Sequence, residues 1–261
     1  MRTVAIDGYL GWVTPQLISE ALFCKNLRGA RPEVRPDIVI NWGKSNPDLA
    51  PGAWVNSPDA ISLSADKAAS LDALFPAEIP VPAYTRSPIS AYFWYRDGSN
   101  VFGKSDKKSR DGTNITLFLQ SERLTRLQFL QKAEDANIQL LTKQFFCDKE
   151  IRVHVAFGEI LGWAEKVRSR NLEGYTPDDI LRGRYIRSYS TGWLMKAAHG
   201  ALPADIEEAS IRAVNTLGLD FGAVDIRIKG RRFVILEVNS APGLEGSVFL
   251  GKYVEAFKKA I

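Results

Sequence analysis

Asp225, Glu237 and Asn239 are the residues of this chain whose types and spacing most directly suggest chemistry. They lie in Asp-Phe-Gly-Ala-Val-Asp-Ile-Arg-Ile-Lys-Gly-Arg-Arg-Phe-Val-Ile-Leu-Glu-Val-Asn-Ser-Ala-Pro-Gly-Leu-Glu-Gly, residues 220–246. Two alternating runs flank Lys-Gly-Arg-Arg at 229–232, the pattern of a hairpin. Alternate strand residues share a face. Val224, Ile226, Ile228, Val234, Leu236 and Val238 are expected on the apolar face, with Asp225, Arg227, Ile235, Glu237 and Asn239 on the other. An odd-length loop, three residues at its shortest, would set Asp225 opposite Glu237. A one-residue slip would expose the apolar set, so the pattern constrains the register. Two carboxylates and an amide oxygen then converge. Three hard oxygen donors suit Mg²⁺, which takes one or two carboxylates together with water and nucleotide phosphates. The plainer reading is an amphipathic hairpin with a wet face holding both carboxylates. The tail Asn-Ser-Ala-Pro-Gly-Leu-Glu-Gly at 239–246 favours the first reading, because Pro and Gly after a strand make a tight turn suited to close approach by a ligand.

The segment 220–246 resembles the C-terminal signature of the ATP-grasp ligases, and is closest in motif to the ribosomal-protein glutamate ligases. The resemblance implies that Asp225, Glu237 and Asn239 hold the magnesium ions that bridge ATP phosphates. Further residues match in order. Lys67, on a helix expected over 64–74, stands where relatives carry a lysine near the nucleotide; the alternative is a solvated helix lysine. Lys104 ends the strand run Val-Phe-Gly-Lys and fits the lysine before the family's phosphate-covering loop, here 105–114 with Gly112 as its one glycine. A polar, basic loop of this kind can wrap phosphates with backbone N–H groups; without the resemblance it reads as a surface loop. Residues 142–146 match the hinge whose backbone meets the adenine edge, which places Gln144 and Phe145 at the nucleotide. Glu150 and Arg152 match the acid-x-Arg pair after the hinge, with Glu150 implied to take the ribose hydroxyls. The alternative is a cross-strand ion pair, worth little if exposed. Arg187, in Ile-Arg-Ser-Tyr, matches an arginine at the transferred phosphoryl group. His154, on the same face as Glu150, reads as packed or solvated.

These residues need a scaffold. Strands are expected near 3–6, 37–42, 101–104, 115–119, 138–146, 149–157 and 160–166, and helices near 15–27, 64–74, 121–136, 203–217 and 248–261. The order strand, helix, strand at the start implies a small α/β unit with parallel strands. The fold class is therefore α+β. The resemblance implies an ATP-grasp domain over 61–261, two mixed α/β subdomains clasping the nucleotide, after an N-terminal unit over 1–60.

The chain has 261 residues, 45% apolar and 25% charged, an ordinary globular balance. No apolar run reaches the roughly 18 residues a membrane helix needs. The opening Met-Arg-Thr-Val-Ala-Ile-Asp carries an acid too early for a secretory signal, so a cytoplasmic chain is expected. Cys24 and Cys147 are far apart and read as reduced thiols. Two histidines, His154 and His199, make a histidine-rich zinc site a poor fit. Net charge is +4, a mild basic excess that points to anionic partners. Arg168, Arg170, Arg182, Arg184 and Arg187 form the densest arginine region, suited to carboxylates and phosphates. The function implied is ATP- and magnesium-dependent ligation. A carboxylate is activated as an acylphosphate and an amine attacks to give an amide, with Lys104 and Arg187 stabilising developing charge. At least one substrate is expected to be anionic. Two rival readings are a kinase that stops at phosphoryl transfer and a non-catalytic module binding protein or, less favoured, nucleic acid.

Overall fold

The computed structural model describes residues 3–9, 11–28, 35–105 and 114–261. Its first unit is a parallel sheet. β1 (Val4–Asp7) leads into α1 (Val13–Leu22), then β2 (Lys25–Asn26), β3 (Ile38–Asn41) and β4 (Ala53–Val55), in the order β2-β1-β3-β4. The first helix ends earlier than its apolar spacing suggests because Phe23 adopts a left-handed conformation, φ 51°. Residues 64 and 65 end a separate helix, α2 (Pro58–Ala65), and the helix expected over 64–74 begins instead at Lys67 as α3 (Lys67–Leu74). Asp66 breaks them: its backbone is extended and its carboxylate accepts from Ala68 N and Ala69 N at 3.1 Å. A capping carboxylate stabilises a helix start by about 1 kcal/mol, and here it makes Lys67 the first residue of α3.

The second unit is antiparallel. It contains β5 (Tyr84–Thr85), α4 (Pro88–Arg96), β6 (Val101–Lys104), β7 (Ile115–Phe118), α5 (Arg126–Asp135) and β8 (Leu140–Lys143), in sheet order β5-β8-β6-β7. Ala91 and Tyr95 of α4 and Phe129 and Ala133 of α5 pack on Val101, Phe118 and Leu141. The last helix of this unit starts at 126 rather than 121, where Thr125 and Gln128 close a capping box.

The third unit is a five-stranded antiparallel sheet. Its elements are β9 (Lys149–Ala156), β10 (Glu159–Arg168), α6 (Pro177–Arg182), β11 (Trp193–Ala197), α7 (Ala204–Thr216), β12 (Phe221–Lys229), β13 (Arg232–Asn239) and α8 (Phe249–Ala260). The strands run β11-β10-β9-β12-β13. One face is apolar throughout: Ile151, Val153, Val155, Val224, Ile226, Ile235 and Val238 meet α7 and α2. The other face is divided. At one end Ala156, Ala164 and Phe221 lie beneath Phe249, Tyr253 and Phe257 of α8, and the same helix covers Ile6, Ile40 and Trp42 of the first sheet. The other end carries charged residues.

This arrangement seats the first unit on the third. A buried Phe side chain contributes roughly 1.5–3 kcal/mol, so the α8 layer with Phe249 and Phe257 helps hold the two units together. Asn56 sets the alignment. Its carboxamide accepts from Asp220 N (2.7 Å) and Phe221 N (3.1 Å) and donates to Phe221 O (3.0 Å). The parallel strands end at Val55, and α2 spans the expected division at 60/61, placing Ala60 and Ile61 in the core of the large sheet.

Candidate active site

The β12–β13 hairpin turns through two residues, Gly230 and Arg231, with Lys229 paired to Arg232. Gly230 has φ 58°, a conformation glycine adopts without strain. A two-residue loop corrects the odd-length loop expected from alternation, and alone it would put Asp225 out of step with Glu237. A bulge restores the pairing: Ile226 faces Ile235, the register then shifts, and Asp225 faces Glu237. Leu236 is the extra residue. The bulge also corrects the faces. Ile235 joins the apolar core and Phe233 packs against it, in place of Val234 and Leu236.

Asp225 is not on a wet face. It is 2% exposed, between β9 and β13. Arg152 Nε and Nη2 donate to its two oxygens at 2.6 and 2.9 Å, and Lys166 Nζ stands 3.5 Å away. Burial opposes its ionisation, but Arg152 and Lys166 outweigh that and hold the carboxyl well below the usual range. Glu150 is equally enclosed. Lys166 Nζ donates to Oε1 at 2.6 Å and Arg227 Nε to Oε2 at 2.8 Å. Glu150 is thus a buried junction between β10 and β12 rather than an exposed pair. Burial would lower the Lys166 pKa, yet Asp225 and Glu150 raise it.

Glu237 differs. Its side chain is 36% exposed, and Lys67 Nζ donates to it at 2.6 Å from the first turn of α3. Burial raises its pKa, Lys67 lowers it further than burial raises it, and the net direction is down. Lys104 lies at the end of β6, above the same group. Burial pushes its pKa down to about 8, Lys67 and Arg227 push the same way, and Glu237 opposes them. Asn239 ends β13, and its Oδ1 accepts from Ala241 N at 3.0 Å. Five cations (Lys67, Lys104, Arg152, Lys166, Arg227) therefore face three carboxylates (Glu150, Asp225, Glu237), an excess of two positive charges. Low dielectric makes such an excess a strong site for an anion.

The remaining expected residues lie around this group. Gln144 and Phe145 occupy the connection between β8 and β9, where Gln144 Oε1 accepts from Asn100 at 2.6 Å. Arg187 donates to Cys147 O (3.4 Å) and stacks over Trp193, 4.5 Å from the ring centroid. The segment between α6 and β11, which carries Arg187, also meets the cluster, since Arg227 Nη2 donates to Tyr185 O at 2.9 Å. Residues 106–113 of the expected phosphate loop lie outside the described residues. Lys166 and Arg227 were not singled out from sequence. Arg227 shares the Asp225 face by simple alternation, but its partner Glu150 emerges only from the pairing of β12 with β9.

The arginine-rich segment is dispersed. Arg168 donates to Thr191 O and Ile180 O, and Arg182 donates to Ile115 O at 2.7 Å. Arg170 and Arg184 are exposed.

Among the described residues no three His, Cys, Asp or Glu side chains gather as a metal site. Two carboxylates and one carboxamide nevertheless fit Mg²⁺: all are hard oxygens, and this ion retains waters and takes phosphate oxygens as ligands.

Three packed units with this clustered charge between sheets define an ATP-grasp fold. The chain aligns over its full length with the ATP-grasp ligase PsnB, solved with a minimal precursor, at TM-score 0.72 and 13% identity, covering 100% of both chains. A RimK domain ATP-grasp protein from Sphaerobacter thermophilus aligns at TM-score 0.63 and 18% identity, over 97% of this chain and 98% of that one. The D-alanine–D-alanine ligase of Bacillus anthracis aligns at TM-score 0.65 and 12% identity, over 98% and 93%. In sequence the chain is 26% identical over 200 residues to a probable alpha-L-glutamate ligase of Shewanella pealeana, and 27% identical over 198 residues to one of Syntrophotalea carbinolica. These matches cover 74% of this chain but 40% and 60% of those proteins, so the chain spans about two fifths of the length of the first. No family model matches the chain. The resemblance read from residues 220–246 is thus supported by both sequence and fold.

Proposed function

We propose that this chain is an ATP- and Mg²⁺-dependent ligase that activates a carboxylate as an acylphosphate and joins it to an amine, releasing ADP and phosphate. The observation that carries the reading is the half-buried cluster of five cations against three carboxylates on the face turned toward Lys67 and Lys104. The curated relatives are named glutamate ligases, and PsnB was also solved with Mg and ADP, which fits the same chemistry. Phosphoryl transfer needs positioning and charge neutralisation more than an acid or a base. Lys104 and Lys67 would bind phosphate oxygens, and Arg187 would steady the transferred group and the acylphosphate. Gln144 and Phe145 would lie against the base, in the hinge. Glu150 orients Lys166 and Arg227, so its part in holding ribose would be made with its remaining lone pairs. Mg²⁺ held by Asp225, Glu237 and Asn239 would neutralise phosphate charge. Arg170 and Arg184, exposed on the segment between β10 and β11, favour a substrate that is anionic beyond its reacting carboxylate. Among the described residues no helix is long and apolar enough to cross a membrane, and Cys24 and Cys147 are free, which fits work in the cytoplasm.

The test is ADP release from Mg-ATP with a panel of amino acids and acidic peptides, with and without amine, and with hydroxylamine as a trap. Carboxylate-dependent ADP release and a trapped hydroxamate are expected. A stable phosphorylated product would show a kinase instead. Salt-sensitive polynucleotide binding without turnover would show a binding module.

A further inference from the structure

Exposed sheet edges are templates for pairing, and proteins usually cover them. Two edges here are covered. Along β13, Ile235 N donates to Pro80 O at 2.7 Å. Along β7, the carbonyls of Ile115 and Leu117 accept from Arg182 (2.7 Å) and Lys132 (2.8 Å). The edge β11 of the five-stranded sheet is different. Ala198 N donates to Trp163 O on β10, whereas Trp193 N turns away to Ser188 O. In an antiparallel pair the inward residues alternate, so Leu194 and Lys196 pair with β10. Met195 and Ala197 then turn N–H and C=O outward, and no group of the described residues covers them. Leu194 and Met195 are 39% and 40% exposed, and Lys196 is exposed as well.

From this edge, and resting on the ligase reading above, we propose that β11 docks an extended acidic peptide substrate, which adds a sixth strand to the sheet. Main-chain bonds supply affinity in this mode, and alternate side chains supply specificity. Met195 lies directly across from Lys166, which bonds Glu150 and stands beside Asp225, so side chains of the added strand emerge on the face that carries the charged cluster. Two strand spacings, about 10 Å, separate the new strand from β10. The strand therefore anchors the peptide, and residues beyond it deliver the reacting carboxylate. Acidity follows from the face on which the peptide lies, where the charged cluster carries an excess of two positive charges, and from exposed Lys196 on the other face of β11. The connection before the strand is mixed, exposing Arg170 and Arg184 but also Glu173 and Asp178.

The test is fluorescence anisotropy with a fluorescein-labelled, end-capped peptide alternating glutamate and valine, measured without ATP. The wild type should bind it and should bind a lysine–valine counterpart at least about tenfold more weakly. Met195→Pro removes an outward N–H without touching the β10 pairing and should weaken binding about tenfold, while Met195→Ala keeps that N–H and should stay within about threefold. Peptides N-methylated on alternate amides give a measurement independent of variant folding: one of the two methylation registers should lose binding. The proposal is overturned if the wild type does not bind, if both registers bind equally, or if the wild type is a dimer that Met195→Pro dissociates, which would make a second copy the occupant. Failure of ADP release with every substrate would sink the ligase reading and leave this binding result standing.

Discussion

One face of the five-stranded sheet holds two regions built from the same strands and treated oppositely by the fold. On β9, Arg152 and His154 are neighbours on that face, both heavily enclosed. Arg152 lies across from Asp225 and remains charged, because the carboxylate outweighs the burial that would discharge it. His154 lies across from Ala223 and Gly162, under α8. Burial there, reinforced by the Arg152 charge, pushes its pKa down to about 3. Its ring stacks on Phe249 at 4.1 Å. The Tyr253 hydroxyl, which donates to Gly222 O, is left to accept from Nδ1 at 3.3 Å. A buried titratable group on this sheet keeps its charge only where a counter-charge faces it. That rule separates the end that can handle anions from the end that holds the domain together.

The largest way to break the charged end is Asp225→Asn. It removes the partner of Arg152 and one of two partners of Lys166, both largely enclosed. Leaving a buried charge without its partner costs about 3–5 kcal/mol, so urea unfolding should show a stability loss of that order beside a turnover loss of at least about 10²-fold. Glu237→Gln sharpens the contrast. Its side chain is 36% exposed and Lys67 can turn to water. Turnover should fall by a similar factor, about 2.7 kcal/mol in the barrier, with the urea midpoint nearly unchanged. Equal stability losses in the two variants would contradict the distinction drawn between them.

How far this division could be read from sequence depends on which interactions are local. Alternation within one hairpin leads to the expectation that Asp225 faces Glu237, but the chain reaches that pairing through a two-residue turn and a bulge. The bulge does not follow from alternation, because Val234, Ile235 and Leu236 are three apolar residues in a row and either parity satisfies a hydrophobic face. The roles of Lys166 and Arg227 depend on β9 lying between β10 and β12, a strand order that no local pattern encodes. Asp66 lies inside the helix expected over 64–74, whereas in the fold its extended backbone and capping carboxylate start α3 at Lys67.

At the covered end the comparison predicts acid sensitivity. The unfolded chain binds a proton at His154 near pH 6.5 and the folded chain only near 3. The unfolded state therefore holds more protons across this window, and stability present above pH 6.5 is lost as pH falls through it. Between pH 7 and pH 5 this amounts to about 2 kcal/mol. His154→Phe keeps a ring on Phe249 and should flatten that part of the pH profile. Because the ring lies in the core under α8, ADP release at pH 7 should change little. An unchanged slope in the variant would place the acid sensitivity elsewhere.

Lys104 falls between the two cases, and its effect is the smallest. It is a buried cation whose nearest carboxylate, Glu237, is already held by Lys67. Burial, Lys67 and Arg227 together bring its pKa down to about 8, so its ammonium is lost as pH rises through a range where an ordinary lysine stays charged. If that ammonium binds phosphate, kcat/KM for ATP should be level below about pH 7 and fall toward tenfold per pH unit well above 8. Bound phosphate charge would favour the protonated form, so nucleotide binding near pH 8 should take up a proton, visible in calorimetry across buffers of different ionisation enthalpy. Lys104→Arg keeps its charge and should lose the alkaline limb. Glu237→Gln supplies the sharper check, because Glu237 is the group that raises the Lys104 pKa. Its removal should move proton uptake to lower pH, even where turnover is too slow to measure. Uptake that stays centred near pH 8 in that variant would separate Lys104 from the carboxylate cluster.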